Sequence, residues 1–252
     1  MSQKDKAMRF RSLHRKGAPL VLYNIWDAGS AKALADAGAT ALATGSWSVA
    51  AAQGFADGEA IPLDFLLRIV ERIVQAVDIP VSVDFEGGYA TDPADLAENV
   101  RQLIQTGAIG INFEDRVVRG EGLHPIEVQA GRIRAIREAA RQADVPLFIN
   151  ARTDLFLNAD PTAHEGCLTE ALQRETAYAA AGADGFFVPG LTDPGLVRAI
   201  VSAARLPVNV MMRGTLDRIA IAAELGAGRA SYGPGPYRSA MADLTARYRA
   251  LT

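Results

Sequence analysis

Short apolar segments recur along the chain, and each is followed by polar residues or glycine and then by a stretch with helical periodicity. Eight such segments are present: PLVLYN (19–24), ATALAT (39–44), IPVSVD (79–84), AIGINFED (108–115), VPLFINA (145–151), ADGFFV (183–188), LPVNVM (206–211) and GRASYG (228–233). Their continuous apolar character predicts strands that are buried on both faces, as in a parallel sheet.

The helical stretches between these segments include LDFLLRIVERIVQAV, PADLAENVRQLIQTG and PIEVQAGRIRAIREAARQ. In four places, of which Ala37-Gly38-Ala39 is the first, a glycine ends the helical stretch just before the next apolar segment, where it suits a left-handed helix cap. Eight strands that alternate with helices, without a break in composition, predict a single-domain α/β protein with a (β/α)8 barrel. A doubly wound open sheet is the alternative, but no GxGxxG or Walker-type loop follows the first strand.

The predicted barrel occupies residues 1–252 as one domain. Residues 1–17 precede the first strand and are interpreted as an N-terminal helical extension. Residues 236–252, PYRSAMADLTARYRALT, follow the eighth strand and are interpreted as the last helix.

The composition narrows the classes of function. The chain is 49% hydrophobic and 22% charged with a net charge of -3, which is typical of a globular protein and not of a disordered or nucleic-acid-binding one. Without a signal-like or membrane-spanning apolar run, we expect a cytoplasmic protein with no membrane or nucleic-acid partner. Cys167 is the only cysteine, so an internal disulfide is excluded, and we interpret this residue as a half-buried helix residue rather than a nucleophile.

Polar side chains gather where the predicted strands end. In a parallel barrel the carboxyl ends of all strands meet at one rim, which is where the active sites of such barrels lie. The residues at these ends are Asn24, Asp27, Thr44, Gly45, Ser46, Trp47, Asp84, Glu86, Glu114, Asp115, Arg152, Asp154, Asn209 and Arg213. So many acidic residues at one rim exceed what helix caps and turns require, and they indicate a catalytic or binding site.

The segment VSVDFEGGYA, residues 81–90, places Asp84 and Glu86 at the end of the third strand. Two like charges buried together are unfavourable unless a cation or hydrogen-bond donors face them. Oxygen ligands without histidine or cysteine suit Mg2+ or Mn2+ better than zinc, and Glu114 is the expected third member, directly or through water. The alternative is a structural network in which both carboxylates pair with Arg152.

Five motifs resemble those of the isocitrate lyase and phosphoenolpyruvate mutase superfamily in order and spacing: GSWSVAAAQGFADGE, VDFEGGY, NFEDR, INARTD and PVNVM. The resemblance extends along nearly the whole chain. The resemblance implies an α/β barrel whose last helix is exchanged between neighbouring subunits, and a homo-oligomer such as a dimer or tetramer. It also implies a small 2-oxo acid or phosphonate substrate bound with Mg2+ at the barrel mouth, with Mn2+ as the alternative ion.

The resemblance implies which residues face the substrate. Thr44, Gly45 and Ser46 resemble the loop that holds the carboxylate of a pyruvyl-type substrate, and Trp47 follows directly. Asn209, in PVNVM, resembles a further polar contact with the substrate.

The resemblance also implies a metal site. Asp84 resembles the direct metal ligand, whereas Asp57, Glu86 and Glu114 resemble ligands that act mostly through water. Glu86 replaces the aspartate of the usual pair, which lengthens the side chain by a methylene without changing its charge. Arg152 resembles the catalytic cation beside the developing oxyanion, where Glu114 would also lie.

Two departures from the family pattern bear on the chemistry. The loop RVVRGEGLHP, residues 116–125, lacks the cysteine that serves lyase members as acid or base, and Pro189 stands where lyases carry glutamate and phosphonate mutases carry histidine. His124 is a candidate replacement acid or base, with a plain turn histidine before a proline as the alternative. Arg116 and Arg119 are candidates to meet a second carboxylate or a phosphonate, with a solvated loop as the alternative.

The residues and the resemblance together predict a Mg2+-dependent lyase that acts on a small 2-oxo acid or its adduct through a metal-stabilised enolate. Oxaloacetate decarboxylation and cleavage of the 2-methylisocitrate type are the C–C reactions considered. One alternative is C–P chemistry on phosphoenolpyruvate or phosphonopyruvate, as a mutase or hydrolase. The other is a barrel that binds 2-oxo acids without catalysis.

Overall fold

A computed structural model of the protein describes residues 1–251. Within them the chain forms eight strands: β1 (Leu20–Leu22), β2 (Leu42–Ala43), β3 (Val81–Asp84), β4 (Gly110–Glu114), β5 (Phe148–Arg152), β6 (Gly185–Phe187), β7 (Val208–Met211) and β8 (Arg229–Ser231). All neighbouring strands pair in parallel in the order β1-β8-β7-β6-β5-β4-β3-β2. The predicted α/β architecture with eight parallel strands is confirmed.

The last gap in the barrel, between β1 and β2, is closed just beyond the two strands. Ile25 and Thr44 form an isolated parallel bridge. The Ile25 N–H donates to Ala43 O at 2.9 Å, and the Gly45 N–H donates to Ile25 O at 3.1 Å. The sheet is therefore a nearly closed barrel, as the alternating pattern predicts.

Helices surround the strands and are joined to them by short loops. Within residues 1–251 there are eleven α-helices: α1 (Gln3–Ser12), α2 (Ala28–Asp36), α3 (Ser46–Ala52), α4 (Leu63–Gln75), α5 (Pro93–Gln105), α6 (Ile126–Gln142), α7 (Leu155–Asn158), α8 (Leu168–Ala180), α9 (Pro194–Ala203), α10 (Ile219–Glu224) and α11 (Gly235–Arg249). The sequence does not predict α3 or α7, since seven and four residues are too short to establish a helical period.

The main core lies between the outer face of the strands and the helices. Ile111 and Phe113 of β4 are fully buried there, as are Val100 of α5 and Ile133 and Ile136 of α6. Burying each such side chain contributes about 1.5–3 kcal/mol, so this layer fixes the strands and the loops that follow them.

The N-terminal extension closes the end of the barrel opposite the rim. Phe10 of α1 is fully buried and packs edge-on against Phe148 with ring centroids 5.3 Å apart, and His14 stacks on the same ring at 4.1 Å. Burial lowers the pKa of His14 to about 3, so this ring stays neutral.

Most of the last helix, α11, is not packed on its own barrel, and only its start contacts the rim. Pro236 is its only buried residue, whereas Leu244 is 61% exposed and Tyr248 is 67% exposed. At the side of the barrel, Val21 and Tyr23 are also 42% and 44% exposed. An amphipathic helix normally covers such positions in a barrel.

Two further predictions concern membrane-spanning helices and the single cysteine. No helix within residues 1–251 is long and apolar enough to cross a membrane. Cys167 is partly buried at the end of a 3-10 helix, Pro161–Cys167, immediately before α8.

Candidate active site

An arginine and a glutamate from adjacent strands form the centre of the rim. Glu114 of β4 and Arg152 of β5 are cross-strand neighbours, and Arg152 Nη1 lies 2.9 Å from Glu114 Oε2. Asp154, two residues on, accepts from Arg152 Nε at 2.5 Å and from Nη2 at 2.9 Å. Burial alone would lower the pKa of Arg152, but Glu114 and then Asp154 outweigh it and raise the pKa well above the ordinary value. Arg152 is therefore a fixed cation.

Asp84 projects from the end of β3 toward the same place. The Ser46 N–H and hydroxyl donate to Asp84 Oδ2 at 3.1 Å and 3.0 Å, and the Asp84 N–H donates to Thr44 Oγ1 at 2.9 Å. Asp84 Oδ1 is buried, lies 4.0 Å from Arg152 Nη1 and has no hydrogen-bond partner within residues 1–251. One carboxylate oxygen is thus held in place, and the other is left to meet a ligand.

The remaining carboxylates crowd around Asp84. Burial, followed by Asp57 and Asp84, raises the pKa of Glu86 to about 8. Burial also raises the pKa of Glu114, where it is opposed by Arg152, and that of Asp57, where Asp84 adds to it. These upward shifts mark a region of excess negative charge, and a cation would stabilise the ionised form of each group.

The structure adds Glu59, which the sequence does not single out. The Glu59 N–H donates to Glu86 Oε2 at 3.0 Å, and Glu59 Oε1 accepts from the Tyr89 N–H at 2.8 Å. Glu59, Glu86 and Tyr89 all have left-handed φ angles, of 57°, 49° and 59°. Such conformations in non-glycine residues persist where surrounding contacts over-determine them. Because no local sequence pattern encodes these angles, the residue type gives no warning of this role.

The predicted substrate residues are distributed over the barrel mouth. Thr44, Gly45 and Ser46 lead into α3, and the Trp47 ring is covered by Arg238 at 4.5 Å and by Tyr237 at 5.9 Å. The indole thus contacts the base of α11.

Asn209, on β7, lies deeper in the barrel. It is 1% exposed, and neither of its amide atoms has a hydrogen-bond partner within residues 1–251. Its neighbour in register is Arg229, a fully buried residue of β8 that the sequence also does not single out. Burial lowers the pKa of Arg229 to about 9, against the opposing attraction of Asp84.

Several strand-end residues have structural partners instead. Asn24 Oδ1 accepts from the N–H groups of Tyr232 and Gly233, both at 2.9 Å, and Asp27 caps α2. Asp115 pairs with Arg174 at 3.1 Å behind the rim.

Two predicted candidates remain, His124 and Arg213. His124 is 9% exposed, and its ring makes no hydrogen bond within residues 1–251. Burial, then Arg132 and Arg174, lower its pKa. The side chain of Arg213 is exposed. The alternative network in which Arg152 pairs with both Asp84 and Glu86 is not what forms, since the Glu86 carboxylate is bound by the Glu59 N–H.

A hard divalent cation needs oxygen ligands, and the rim offers them as carboxylates. Within residues 1–251 no three His, Cys, Asp or Glu side chains lie close enough together to hold an ion jointly. Mg2+ keeps several of its waters and is commonly bound through one or two carboxylates. The unpartnered Oδ1 of Asp84, with acidic groups farther out, fits a cation of this kind.

Comparisons with known proteins agree with this geometry. A family model described as phosphoenolpyruvate phosphomutase matches residues 10–252. An uncharacterized protein of Mycobacterium tuberculosis is 34% identical over 248 residues, which cover 97% of this chain and 89% of that protein. The 2-methylisocitrate lyase of Escherichia coli is 30% identical over 216 residues, which cover 82% of this chain and 70% of that enzyme.

A solved structure is similar over its full length. A protein of Burkholderia cenocepacia J2315, proposed to be a phosphonomutase, superposes with a TM-score of 0.97 at 50% identity, covering 100% of both chains. The family resemblance carried by the five motifs is thereby confirmed.

Proposed function

The chain belongs to the phosphoenolpyruvate phosphomutase family, and from that premise we propose that it is a Mg2+-dependent lyase. It would cleave or form a C–C bond next to the carbonyl of a small 2-oxo acid or its adduct. The observation that carries the proposal is the state of Asp84, whose Oδ2 is held by Ser46 while the buried Oδ1 is unpartnered within residues 1–251 and faces Arg152.

The carboxylates define where the cation would be held. Asp84 Oδ1 would be its direct ligand, and Asp57, Glu86 and Glu114 would contact it mostly through water. When bound, the cation would supply positive charge beside the carbonyl oxygen, where negative charge develops as the neighbouring bond breaks. Mn2+ would suit the same oxygen ligands.

Arg152 would stabilise the same developing charge from the protein side. Its three short contacts go to Glu114 and Asp154, and they leave one hydrogen on each of Nη1 and Nη2 for an oxygen of the substrate. Since the guanidinium is already held by two carboxylates, it needs little reorganisation when the enolate oxygen forms. Arg152 and Glu114 are therefore proposed as a catalytic pair.

The first turn of α3 would hold the substrate carboxylate. Thr44 and Gly45 lead into the helix, and the Trp47 and Ser48 N–H groups in its first turn have no acceptor inside the helix. Ser48 Oγ is also buried without a partner within residues 1–251. Asn209, inside the barrel on β7, would contact the substrate through its amide, which has no hydrogen-bond partner within residues 1–251.

The reaction must proceed without the thiol that other lyases use. Cys167, the only cysteine, lies before α8, and no cysteine occurs in the loop after β4. Decarboxylation of an oxaloacetate-like acid demands only one proton transfer, to the enolate carbon. Retro-aldol cleavage of a small adduct demands in addition a base that accepts the proton of the adduct's hydroxyl as the C–C bond breaks. His124 is the proposed donor, because its buried ring has no competing hydrogen bond within residues 1–251. His124 borders a cavity that Asp84 and Arg152 do not line, so the loop after β4 would have to shift to bring the ring to the enolate carbon.

Two other activities remain candidates. C–P chemistry on phosphonopyruvate or phosphoenolpyruvate is supported by the family match and by a loop without cysteine, although Pro189 replaces the histidine used by mutases. A binding protein without catalysis is supported by two missing groups: the cysteine of the loop after β4 and the glutamate or histidine that Pro189 replaces.

A metal-dependent turnover screen tests the proposal. Oxaloacetate, 2-methylisocitrate, phosphoenolpyruvate and phosphonopyruvate are supplied with Mg2+, Mn2+ or EDTA, and release of pyruvate, succinate or phosphate is followed. Asp84→Ala protein and metal-only blanks are the controls, since divalent ions alone decarboxylate oxaloacetate. Pyruvate formation above the blank that disappears with EDTA and with Asp84→Ala supports the lyase. Turnover of phosphonopyruvate alone supports C–P chemistry, and oxalate binding without any turnover supports the binding protein.

We also propose that the protein is a homo-oligomer in which α11 is exchanged between subunits. Leu244 and Tyr248 on the uncovered helix, and Val21 and Tyr23 on the uncovered side of the barrel, are apolar or aromatic surfaces that a neighbouring subunit would cover. The cytoplasmic location and the absence of a nucleic-acid partner stay predictions.

A further inference from the structure

A second cavity lies at the rim beside the metal-side carboxylates. It has a volume of about 260 Å3 and is enclosed by the turn after β3, the loop after β4, Glu59 and Arg132 of α6. Neither Asp84, Glu114 nor Arg152 contributes to its wall. Gly87 and Tyr89 line it, whereas the side chain of the preceding Glu86 turns away to accept the Glu59 N–H. The two sites therefore have separate linings and adjoin at Glu59.

The lining of this rim cavity is strongly cationic. Arg116, Arg119, Arg132 and His124 line it, whereas Glu59 is the only acidic residue in the wall. One oxygen of Glu59 already accepts the Tyr89 N–H at 2.8 Å. Within residues 1–251, none of the ion pairs closer than 4.0 Å involves any of these three arginines. The cavity therefore carries three arginines that no carboxylate in this part of the chain contacts directly, although Glu59 and Glu114 attract the charge of Arg132 from farther away.

Arg132 is the buried member of this group. It is 2% exposed, and its guanidinium contacts only neutral acceptors: Gln129 Oε1 at 2.7 Å, Gly87 O at 2.5 Å and Ala90 O at 2.9 Å. Its Nε is buried without a partner within residues 1–251. The Phe113 ring, 4.8 Å from the guanidinium carbon, and the attraction of Glu59 and Glu114 stabilise this charge in part. No carboxylate among the described residues contacts the guanidinium directly, so an anion in the adjoining cavity would stabilise it further.

The loop that carries the other two arginines is folded back on itself. Arg116 pairs with Leu123 in an antiparallel bridge, and the Val117 N–H donates to Gly122 O at 3.1 Å. Val117 and Val118 add apolar wall beside the arginines. The cavity is thus a built pocket with a cationic side and a short apolar side, too small for a nucleotide-sized ligand.

We propose that this rim cavity is a second anion site, which binds a small phosphate, phosphonate or short dicarboxylate independently of the metal. Arg116 and Arg119 would form charge-assisted hydrogen bonds to the anion, and Arg132 would supply buried positive charge behind it. The valines would contact a short aliphatic stem. The proposal does not depend on the lyase reaction.

Calorimetric titration of the full chain in EDTA tests the site, with inorganic phosphate and succinate as probes. EDTA removes the cation that an anion would need on the metal side, and the competition with oxalate separates any binding that remains there. We expect binding to the wild-type protein, and binding at least about tenfold weaker to the Arg116→Gln, Arg119→Gln double variant. Arg134→Gln, an exposed arginine of the same helix as Arg132, is the matched control and should bind like the wild type.

A competition arm separates the two sites. With Mg2+ and saturating oxalate present, succinate should still bind with unchanged affinity. Failure of either probe to bind in EDTA, equal binding by the double variant, or displacement of succinate by oxalate would each overturn the proposal. Both replaced arginines are exposed on a loop, and an unchanged melting temperature would establish that the double variant is folded.

Discussion

Ser46 holds one oxygen of Asp84 with two hydrogen bonds, from its N–H at 3.1 Å and its hydroxyl at 3.0 Å, and leaves the other oxygen without a partner within residues 1–251. The two residues come from different parts of the chain, the start of α3 and the end of β3. This contact aims a buried carboxylate at a fixed point, as the residues around a metal ligand commonly do.

Replacing Ser46 with alanine removes the hydroxyl bond but keeps the backbone bond to Asp84. Because an outer-shell partner of this kind typically contributes about tenfold to a hundredfold to metal affinity, we expect Mg2+ and Mn2+ to bind weaker by that factor. Calorimetric titration measures the change. Ser12→Ala is the control, since Ser12 bonds only the Arg9 carbonyl on the distant α1. Unchanged metal affinity in Ser46→Ala would argue against Asp84 as a ligand.

The raised pKa of Glu86 predicts a pH-dependent stability. Its pKa is about 8 in the folded protein, against about 4.3 for a glutamate in an unfolded chain. Between these values only the native state holds the proton, so the free energy of unfolding of the metal-free protein should fall as pH rises toward about 8. Glu86→Gln should flatten this dependence without abolishing it, because Asp57 and Glu114 also have raised pKa values.

Urea unfolding in EDTA, from about pH 5 to about pH 8, measures that dependence in the wild type and in Glu86→Gln. In the same range the affinity for Mg2+ should increase with pH, since the cation must displace the proton. Glu138→Gln is the control, because Glu138 is on the exposed surface of α6 and pairs with Arg141. A steeper fall in stability for Glu86→Gln than for the wild type would contradict the assignment.

Arg152→Lys tests whether the guanidinium is needed or only its charge. A lysine cannot reproduce the paired contacts to Asp154 and reach Glu114 at once. We expect kcat to fall about a hundredfold to a thousandfold, with a smaller change in KM. Arg198→Lys, on α9, is the control. A variant with normal kcat would place Arg152 outside the reacting centre.

Arg152→Ala should in addition lose about 3–5 kcal/mol of stability, since two buried carboxylates lose their cation.

His124→Asn tests the proposed proton donor. If the ring donates a proton in the rate-limiting step, turnover falls by about a hundredfold and the basic limb of the pH profile of kcat/KM, where the donor loses its proton, disappears. The limb should lie below the ordinary histidine range in the wild type, because burial lowers the pKa of this ring. His14→Asn is no suitable control, since His14 is buried against Phe148, and the exposed Arg134→Gln serves instead. A loss of less than threefold, within the scatter of ordinary surface changes, would assign the proton to solvent.

The exposed apolar face of α11 predicts an association defect in Leu244→Asp. In an exchanged oligomer Leu244 becomes buried, so a carboxylate there should shift the protein toward smaller species in light scattering. Leu157→Asp is the control, because Leu157 is another exposed leucine, at 40%, but lies on α7 and not on the last helix. A wild-type protein that is monomeric at all concentrations would exclude helix exchange.

The alternation of apolar segments and helical stretches was sufficient to predict the barrel, because buried parallel strands need continuous apolar runs and each needs a helix to cover it. The same pattern identified the strand ends, and with them Asp84, Glu114 and Arg152. The strand bounds were less accurate. PLVLYN is apolar as far as Tyr23, but β1 ends at Leu22, since the hydrogen-bond ladder stops before the apolar pattern does.

The tertiary structure alone decided how these residues are partnered. The sequence allowed Arg152 to pair with Glu86. In the structure, the neighbouring strand places Glu114 opposite Arg152, and Asp154, two residues after Arg152, accepts a hydrogen bond from its guanidinium. Glu59 joins the site through two hydrogen bonds, each from a backbone N–H to a carboxylate oxygen, between two loops with left-handed residues. Residue types do not encode this arrangement. The rim cavity likewise brings together segments that are far apart in the chain. Local periodicity sets the strands and helices, whereas contacts between distant loops set the chemistry of the site.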